Sequence, residues 1–262
     1  MDVFVKTTYA NIYDKPTFTS SMTTQALLWE KLEIISSEGS WFKVRQWDRY
    51  EGWVHSFYIT DEKKIQKLVG NINDYRLFHV TQPIMALRES ISLESNVICY
   101  ATLGSQILVD RDSDCFILPS GKTVWANINK FSSDEDFESS FISLSSNLQG
   151  YPYLWGGKTP FGFDCSGLVQ TIFKSMGIMV SRDTSMQIDD VEFMDIENDK
   201  YEIGDVIFFN IDSDSVDHVG LYFGDDMVMH CGGEVKLESL SDKLDKVVSL
   251  RRYKNKNEYK YE

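Results

Sequence analysis

Long apolar runs and an excess of basic residues are both missing from this 262-residue sequence. No segment reaches the roughly eighteen consecutive apolar residues of a membrane-spanning helix, and residues 1–16 lack a basic stretch followed by an apolar one. We therefore expect a soluble, cytoplasmic protein without a membrane partner. The 40 acidic residues outnumber the 26 basic ones, and the net charge of -14 disfavours binding to nucleic acid.

Cysteine is scarce as well, with four residues and neither a CxxC pair nor a zinc-finger spacing. The sequence thus predicts no disulfide framework and no metal site. The acidic loop 210–218 lacks the glycine and the distal glutamate of a calcium loop, so we expect no cofactor. What is present is an ordinary globular composition in a chain long enough for two or three domains.

Short candidate strands fill the first 130 residues, where β-branched and aromatic residues alternate and no helix of any length is expected. A weak repeat is visible: 40 positions separate Tyr13 from Trp53, and 38 separate Leu87 from Trp125. Two copies of one small β-barrel fit this spacing.

The second half of the chain has a different pattern. The polar segment 131–140 is typical of a linker or of the cap of a following helix. Apolar spacing and terminal glycines predict helices over residues 141–150 and 166–177. Three candidate strands follow, at residues 204–209, 218–224 and 227–232. Helices before antiparallel strands indicate an α+β domain.

The stretch "GGKTPFGFDCSG" places Cys165 at the start of a predicted helix. Asp164 is a good N-cap, and the dipole and free N–H groups of the first turn favour a thiolate. We expect the surrounding glycines to let the backbone approach a ligand without burying the sulfur. A lone cysteine is more often a small core residue, and that interpretation stays open here.

A catalytic thiolate requires an imidazole, and the chain has four histidines. His218 begins one candidate strand and His230 lies near the end of the next, with a turn between them. Antiparallel pairing of the two strands brings the rings together, so that one could pair with the thiol while the other orients it. For either histidine alone, a structural role is the more common one.

The motifs "DCSGLV", "IGDVIFF", "DHVGLYFG" and "VMHCGG", in this order, resemble the NlpC-type cysteine peptidases, papain-like enzymes that cut peptidoglycan peptides. The resemblance implies an α+β papain-like catalytic domain with Cys165 as nucleophile, His218 as base and His230 as the orienting residue. The N-terminal repeat resembles bacterial SH3-like domains. We predict two SH3-like barrels at 1–65 and 66–130, a linker at 131–140, and the peptidase domain at 141–262.

One branch of that family, the γ-D-glutamyl-L-diamino acid endopeptidases of muropeptide recycling, carries two SH3-like domains before the catalytic one. The segment "TQALLWEKLEI" resembles its signature and implies that Glu30 meets the free amine of the substrate, accompanied by Tyr50. Trp29 replaces a glycine of that signature. The resemblance also implies substrate contacts in the catalytic domain, at Tyr153, Asp164, Ser166, Asp183 and Thr184. Thr184 stands where serine is more usual, and Asp164 has a second predicted task, holding the substrate ammonium.

These observations predict a monomeric cysteine endopeptidase that cuts after γ-D-Glu in small peptidoglycan-derived peptides with a free N-terminal L-Ala. The diamino acid on the other side of the bond is meso-diaminopimelate or L-Lys. Two alternatives stay open: a peptidoglycan amidase or acyltransferase on the same scaffold, and a non-enzymatic cell-wall binding protein. The latter predicts the loss of at least one of Cys165, His218 and His230, and all three are present.

Overall fold

The computed structural model describes residues 2–110, 115–127, 135–197, 200–213 and 215–259. The chain forms two compact units that divide between residues 129 and 130. Residues 131–134 of the predicted linker lie outside the described residues. Asp136 lies within the same segment and caps a helix over Phe137–Ser145, since its Oδ1 accepts the Ser139 N–H at 2.8 Å. The predicted end of the linker at residue 140 and the predicted start of the helix at residue 141 are therefore each four residues too late.

The first barrel is built from seven strands. They are β1 (Asp2–Val5), β2 (Tyr9–Tyr13), β3 (Met22–Leu27), β4 (Lys31–Glu38), β5 (Trp41–Arg45), β6 (Glu51–His55) and β7 (Ile59–Asp61). All neighbours are antiparallel, in the order β3-β2-β6-β5-β4-β1-β7. Alternate residues point inward and form an apolar core that includes Ile12, Val44 and Val54.

The second barrel has the same strand order as the first. Its strands are β8 (Arg76–His79), β9 (Ile84–Arg88), β10 (Val97–Thr102), β11 (Gln106–Val109), β12 (Phe116–Ile117) and β13 (Thr123–Val124). Sheets β10-β9 and β13-β12-β11-β8 are joined by a bridge between Arg88 and Trp125, as Tyr13 and Trp53 join β2 to β6. The resulting order matches that of β3-β2-β6-β5-β4-β1, so the predicted pair of barrels is confirmed.

A helix, α1 (Glu62–Val69), follows the first barrel. The expectation of no helix in the first 130 residues is therefore wrong. Asp61 caps α1 by accepting the Lys64 N–H at 2.8 Å, and Gly70, at φ 81°, ends it. The cap and the glycine are visible in the sequence, but the apolar stripe is only two turns long and is diluted by lysines. The predicted boundary between residues 65 and 66 falls within α1.

In the second unit, helices and a small hairpin precede most strands of the sheet along the chain. Its elements are α2 (Phe137–Ser145), β14 (Lys158–Thr159), β15 (Gly162–Phe163), α3 (Cys165–Ser175), α4 (Thr184–Gln187), β16 (Phe193–Asp195), β17 (Val206–Phe209), β18 (His218–Gly224), β19 (Met227–Gly232), β20 (Glu234–Ser239) and β21 (Val247–Tyr253). The antiparallel sheet has the order β16-β21-β17-β18-β19-β20. The predicted α+β architecture is confirmed.

Helix α3 is the element that positions the cysteine. All its residues are buried, and it packs against β18 and β19, the two strands that carry the predicted histidines. Gly177, at φ 78°, follows its end as the sequence predicted. Within the part of the chain that the structure describes, no helix is long and apolar enough to cross a bilayer.

Trp29 shows why a glycine is the usual residue at its position. Its φ is 69°, in the left-handed region that costs other residues about 1–2 kcal/mol. The buried indole offsets this cost, because Nε1 donates to the Ile117 carbonyl at 2.7 Å and the ring packs edge-on against Phe4. The turn is therefore retained, and in it Glu30 Oε2 accepts the Leu27 N–H at 2.7 Å.

We expect Trp29→Gly to destabilise the chain by about 2–4 kcal/mol, because the lost burial exceeds the relieved backbone strain. Arg49→Gly is the matched control, since Arg49 has a φ of 66° and an exposed side chain. The control should be as stable as the parent or slightly more stable. Urea unfolding followed by circular dichroism measures both. Equal stability of Trp29→Gly and the parent would contradict this account.

Candidate active site

The carboxylate of Asp164 organises the start of α3. Its Oδ1 accepts the Gly167 N–H at 2.6 Å, which caps the helix, and its Oδ2 accepts the Gly156 N–H at 2.8 Å. Arg182 completes the shell through Nη1 to Oδ1 at 3.0 Å and Nη2 to Oδ2 at 2.6 Å. Both side chains of the ion pair are buried. Ser166 Oγ makes a fifth, longer contact of 3.4 Å with Oδ1, so both oxygens of the carboxylate are hydrogen-bonded within the site.

These contacts bear differently on the two roles predicted for Asp164, which are capping of α3 and binding of the substrate ammonium. The capping task is confirmed by the Gly167 contact. The buried guanidinium of Arg182 already compensates the charge of this carboxylate. Contact of Asp164 with a substrate ammonium stays a prediction.

The glycines of this loop pack against the helix rather than leaving room for a ligand. A Cβ on residue 167 would lie 2.1 Å from the Gly157 carbonyl oxygen, and a Cβ on residue 157 would lie 2.2 Å from that of Gly162. Either contact would push the loop off α3. The expectation that these glycines do not bury the sulfur is wrong, since the loop closes on the helix and Cys165 is 9% exposed.

The Cys165 thiol lies beside the first residues of β18. Its pKa is raised by burial and secondly by the Asp164 charge, while the Thr184 hydroxyl and the N–H groups of Val219 and Ser166 favour the thiolate. The Thr184 oxygen is 3.8 Å from Sγ. Burial therefore opposes the thiolate that the helix terminus favours.

His218 and His230 lie together, as antiparallel pairing of β18 and β19 predicted. His218 Nε2 is 2.8 Å from His230 Nδ1, and the rings meet edge to face. Gly220 is the register partner of His230, and His218 lies two residues before it on the same face of the sheet. A Cβ on residue 220 would lie 2.8 Å from Val228 Cγ2 and 3.1 Å from His230 Cβ, so a side chain there would crowd β19.

Burial keeps both imidazoles neutral. The pKa of His218 is lowered to about 4 by burial and secondly by the neighbouring His230. Burial also lowers the pKa of His230, against the pull of the Glu238 carboxylate. A neutral imidazole is the form of histidine that can accept a proton from a thiol.

Three residues of the site were missed by sequence reasoning. Glu238 Oε2 is 3.0 Å from His230 Nε2. Gln187 donates to the Ser166 carbonyl at 3.0 Å and to the Ser181 carbonyl at 2.9 Å. Arg182 is the third. For Arg182 the available signal was a lone arginine beside predicted site residues; for Gln187 and Glu238 only the tertiary fold and the register of β20 reveal the contact.

The remaining predicted site residues are divided between the two units. Tyr153 has its pKa raised to about 12 by burial and secondly by Cys165, so its hydroxyl stays a donor. Ser166 Oγ accepts from Arg182 Nη1 at 2.9 Å, and Asp183 stands at the N-cap of α4 without capping it through its side chain. Glu30 and Tyr50 belong to the first unit. The substrate contacts of these residues stay predictions, as do the catalytic roles of Cys165 and the histidines.

Comparisons with known proteins show which family this chain resembles. Residues 150–252 match the NlpC/P60 family, and residues 12–56 match the bacterial dipeptidyl-peptidase SH3 domain. A gamma-D-glutamyl-L-lysine dipeptidyl-peptidase of Bacillus cereus is 31% identical over 230 residues, which cover 80% of this chain and 67% of that protein. The chain belongs to the NlpC/P60 family.

Two further comparisons extend over nearly the whole chain. Dipeptidyl-peptidase 6 of Lysinibacillus sphaericus is 25% identical over 267 residues, covering 92% of this chain and 93% of that protein. The crystal structure of an NlpC/P60 family protein from Bacillus cereus superposes with a TM-score of 0.81 at 22% identity, covering 97% and 99% of the two chains. The predicted resemblance and fold class are confirmed, and the chain is a cysteine peptidase rather than a non-enzymatic binding protein.

No metal is evident in the chemistry of this NlpC/P60 site. Among the described residues, no three His, Cys, Asp or Glu side chains are grouped so as to hold a metal ion. The groups that are present suit acyl transfer: a thiol at a helix start, a neutral imidazole, and free N–H donors of the first helical turn.

We expect Arg182→Met to destabilise the NlpC/P60 domain by about 3–5 kcal/mol, because it leaves the Asp164 carboxylate buried without its cation. Lys200→Met is the control, since Lys200 is an exposed cation in the same unit. Calorimetry of the full chain measures both. A loss no larger for Arg182→Met than for Lys200→Met would contradict the importance assigned to the buried pair.

The Cys165 pKa makes a second prediction. A thiol with a raised pKa is protonated below that pKa, so its alkylation by iodoacetamide should accelerate with pH and reach its midpoint above the ordinary pKa of cysteine. Mass spectrometry of the Cys165 peptide measures the rate. Cys99 is the internal reference, since burial raises its pKa to about 11. A Cys165 midpoint below neutral pH would mean that a thiolate and imidazolium pair forms in the resting enzyme.

Proposed function

We propose that this peptidase hydrolyses the bond between γ-D-Glu and a diamino acid in small peptidoglycan-derived peptides with a free N-terminal L-Ala. The observation that carries the proposal is its 31% identity, over 80% of the chain, to a protein named gamma-D-glutamyl-L-lysine dipeptidyl-peptidase. The sequence resemblance, which assigns Glu30 to the free amine of the substrate, supports it.

The proposed reaction begins from a neutral pair. His218 uses Nε2 to contact His230, which leaves Nδ1 to accept the thiol proton as Sγ bonds to the γ-carbonyl carbon of D-Glu. The Cys165 N–H and the Tyr153 hydroxyl stabilise the oxyanion that forms. As the C–N bond breaks, the His218 imidazolium gives its proton to the leaving amine, and an L-Ala-γ-D-Glu thioester remains on the enzyme.

Water completes the proposed cycle. His218, neutral again, takes a proton from a water molecule while the water oxygen bonds to the thioester carbon. The C–S bond then breaks, the dipeptide leaves with a free γ-carboxylate, and the sulfur recovers its proton from His218. The diamino acid and the dipeptide are the two products, and no other reactant is consumed.

Recognition of the substrate follows the sequence resemblance. Glu30, accompanied by Tyr50, is assigned to the amine of L-Ala, and Asp164, Ser166, Asp183 and Thr184 are assigned to substrate contacts. Glu30 Oε2 accepts the Leu27 N–H at 2.7 Å, which fixes the position of that carboxylate. An acylated amine has no charge and more bulk, and it should be rejected.

The test compares two peptides, L-Ala-γ-D-Glu-L-Lys and its N-acetylated form, with meso-diaminopimelate analogues of each. We expect the parent enzyme to release the diamino acid from the free peptides only, and Cys165→Ala to release none. Mass spectrometry follows the products. Equal cleavage of the free and acetylated forms would overturn amine recognition, and cleavage of neither would overturn the substrate assignment.

Two variants test the roles of the carboxylates in substrate binding, and a second substrate distinguishes the proposed peptidase from the amidase alternative. Asp183→Asn and Glu30→Gln should each lower kcat/KM for the free peptide by about 10-fold or more, since each removes a charge-assisted hydrogen bond. Removal of the acyl group from an N-acyl-L-Ala peptide, which leaves the peptide with a free L-Ala amine, would instead support the amidase alternative. The proposal includes the recycling of cell-wall peptides in the cytoplasm, and fractionation of the source cells tests that location.

A further inference from the structure

Glu238 forms the end of a hydrogen-bonded row that begins at His218. The row runs from His218 Nε2 to His230 Nδ1 at 2.8 Å, and from His230 Nε2 to Glu238 Oε2 at 3.0 Å. Each member lies on a different neighbouring strand, β18, β19 and β20. We propose that Glu238 is a positioning residue of the peptidase, which fixes the proton positions on both imidazoles so that His218 presents a free Nδ1 to the thiol.

The strand register places Glu238 where it can do this. His230 pairs with Lys236 across the β19 and β20 ladder, and Glu238 lies two residues further along β20 on the same face. A diagonal neighbour at that distance is within reach of long side chains. His230 is thus held from both sides, by His218 on one strand and by Glu238 on the other.

Two lysines keep Glu238 charged and in place. Lys236 Nζ lies 2.6 Å from Oε1, and Lys243 Nζ lies 2.7 Å from Oε2. These contacts, Lys236 first, lower the pKa of Glu238 to about 2. An ionised carboxylate only accepts hydrogen bonds, so the nitrogen of His230 that faces it must carry the proton.

The proton positions then follow one from another. With the proton of His230 on Nε2, its Nδ1 is an acceptor and requires the proton of His218 on Nε2. His218 Nδ1 is left with a lone pair, which is the base that the proposed mechanism requires. The opposite arrangement would set the bare Nε2 of His230 against a carboxylate oxygen, two acceptors facing each other at 3.0 Å.

This proposal rests on the proposed function, in which Cys165 is the nucleophile and His218 is the base. The experiment is designed so that failure of the positioning role and failure of the proposed function give different results. Glu238→Leu removes the acceptor, and Glu238→Gln restores an uncharged one. We expect Glu238→Leu to lower kcat for L-Ala-γ-D-Glu-L-Lys by about 10- to 100-fold with KM within about twofold, as for loss of an orienting partner of a functional histidine. Glu238→Gln should recover part of the loss. Glu197→Gln, an exposed ion-paired glutamate of the same unit, should behave as the parent.

Nuclear magnetic resonance of the protein labelled with ¹⁵N-histidine reads the proton positions without substrate. His230 of the parent should show a single neutral form protonated on Nε2, and Glu238→Leu should lose that single form. Parent-like kcat in Glu238→Leu, or a lower kcat with His230 unchanged, would overturn the proposal. If Glu238→Leu does not fold, as judged by its thermal unfolding, Glu238→Gln alone decides. If the kcat and the His230 signals of Glu238→Gln both equal those of the parent, the negative charge of Glu238 is dispensable and the requirement for the carboxylate is overturned. A parent enzyme that leaves the tripeptide intact contradicts the proposed function instead, whatever the His230 signals show.

Discussion

The buried ion pair between Asp164 and Arg182 is the interaction on which the candidate site depends. It joins three segments: the first turn of α3, the loop that begins at Gly156, and the segment that carries Asp183 and Thr184. A buried pair stabilises a fold only where the remaining hydrogen-bonding groups are satisfied. Here the cap and the Gly156 N–H supply them, so the carboxylate that starts the helix also holds the segment that carries Asp183 and Thr184.

The same burial also sets the electrostatics of the candidate site. It raises the pKa of the Cys165 thiol and lowers that of His218 to about 4, which favours the neutral form of both groups. In the proposed mechanism, charge on the sulfur, the imidazole and the carbonyl oxygen appears as the bond forms. Hydrogen-bond donors at the helix start would then stabilise the transition state more than the resting state, which is the condition for catalysis.

Much of the fold follows from local patterns, and its exceptions have physical causes. Alternation predicts the barrel strands, and the spacing from Tyr13 to Trp53 and from Leu87 to Trp125 reflects one strand order used twice. Helix α1 was missed because a two-turn apolar stripe among lysines carries little periodic signal. The turn at Trp29 departs from the expected glycine because burial of the indole compensates for a left-handed backbone, which only the tertiary structure shows.

The site itself was predictable wherever neighbours in sequence are neighbours in space. Asp164 and Cys165 share a helix start, and a single hairpin joins His218 to His230, so a short pattern suffices for these four. Glu238 and Arg182 meet the site through a third strand and a separate loop, whose register no local pattern specifies. Gly220 is a further example. In the sequence it is one small residue of a strand, whereas in the sheet a Cβ at this position would lie 2.8 Å from Val228 Cγ2 and 3.1 Å from His230 Cβ, so the close pairing of β18 with β19 requires a glycine.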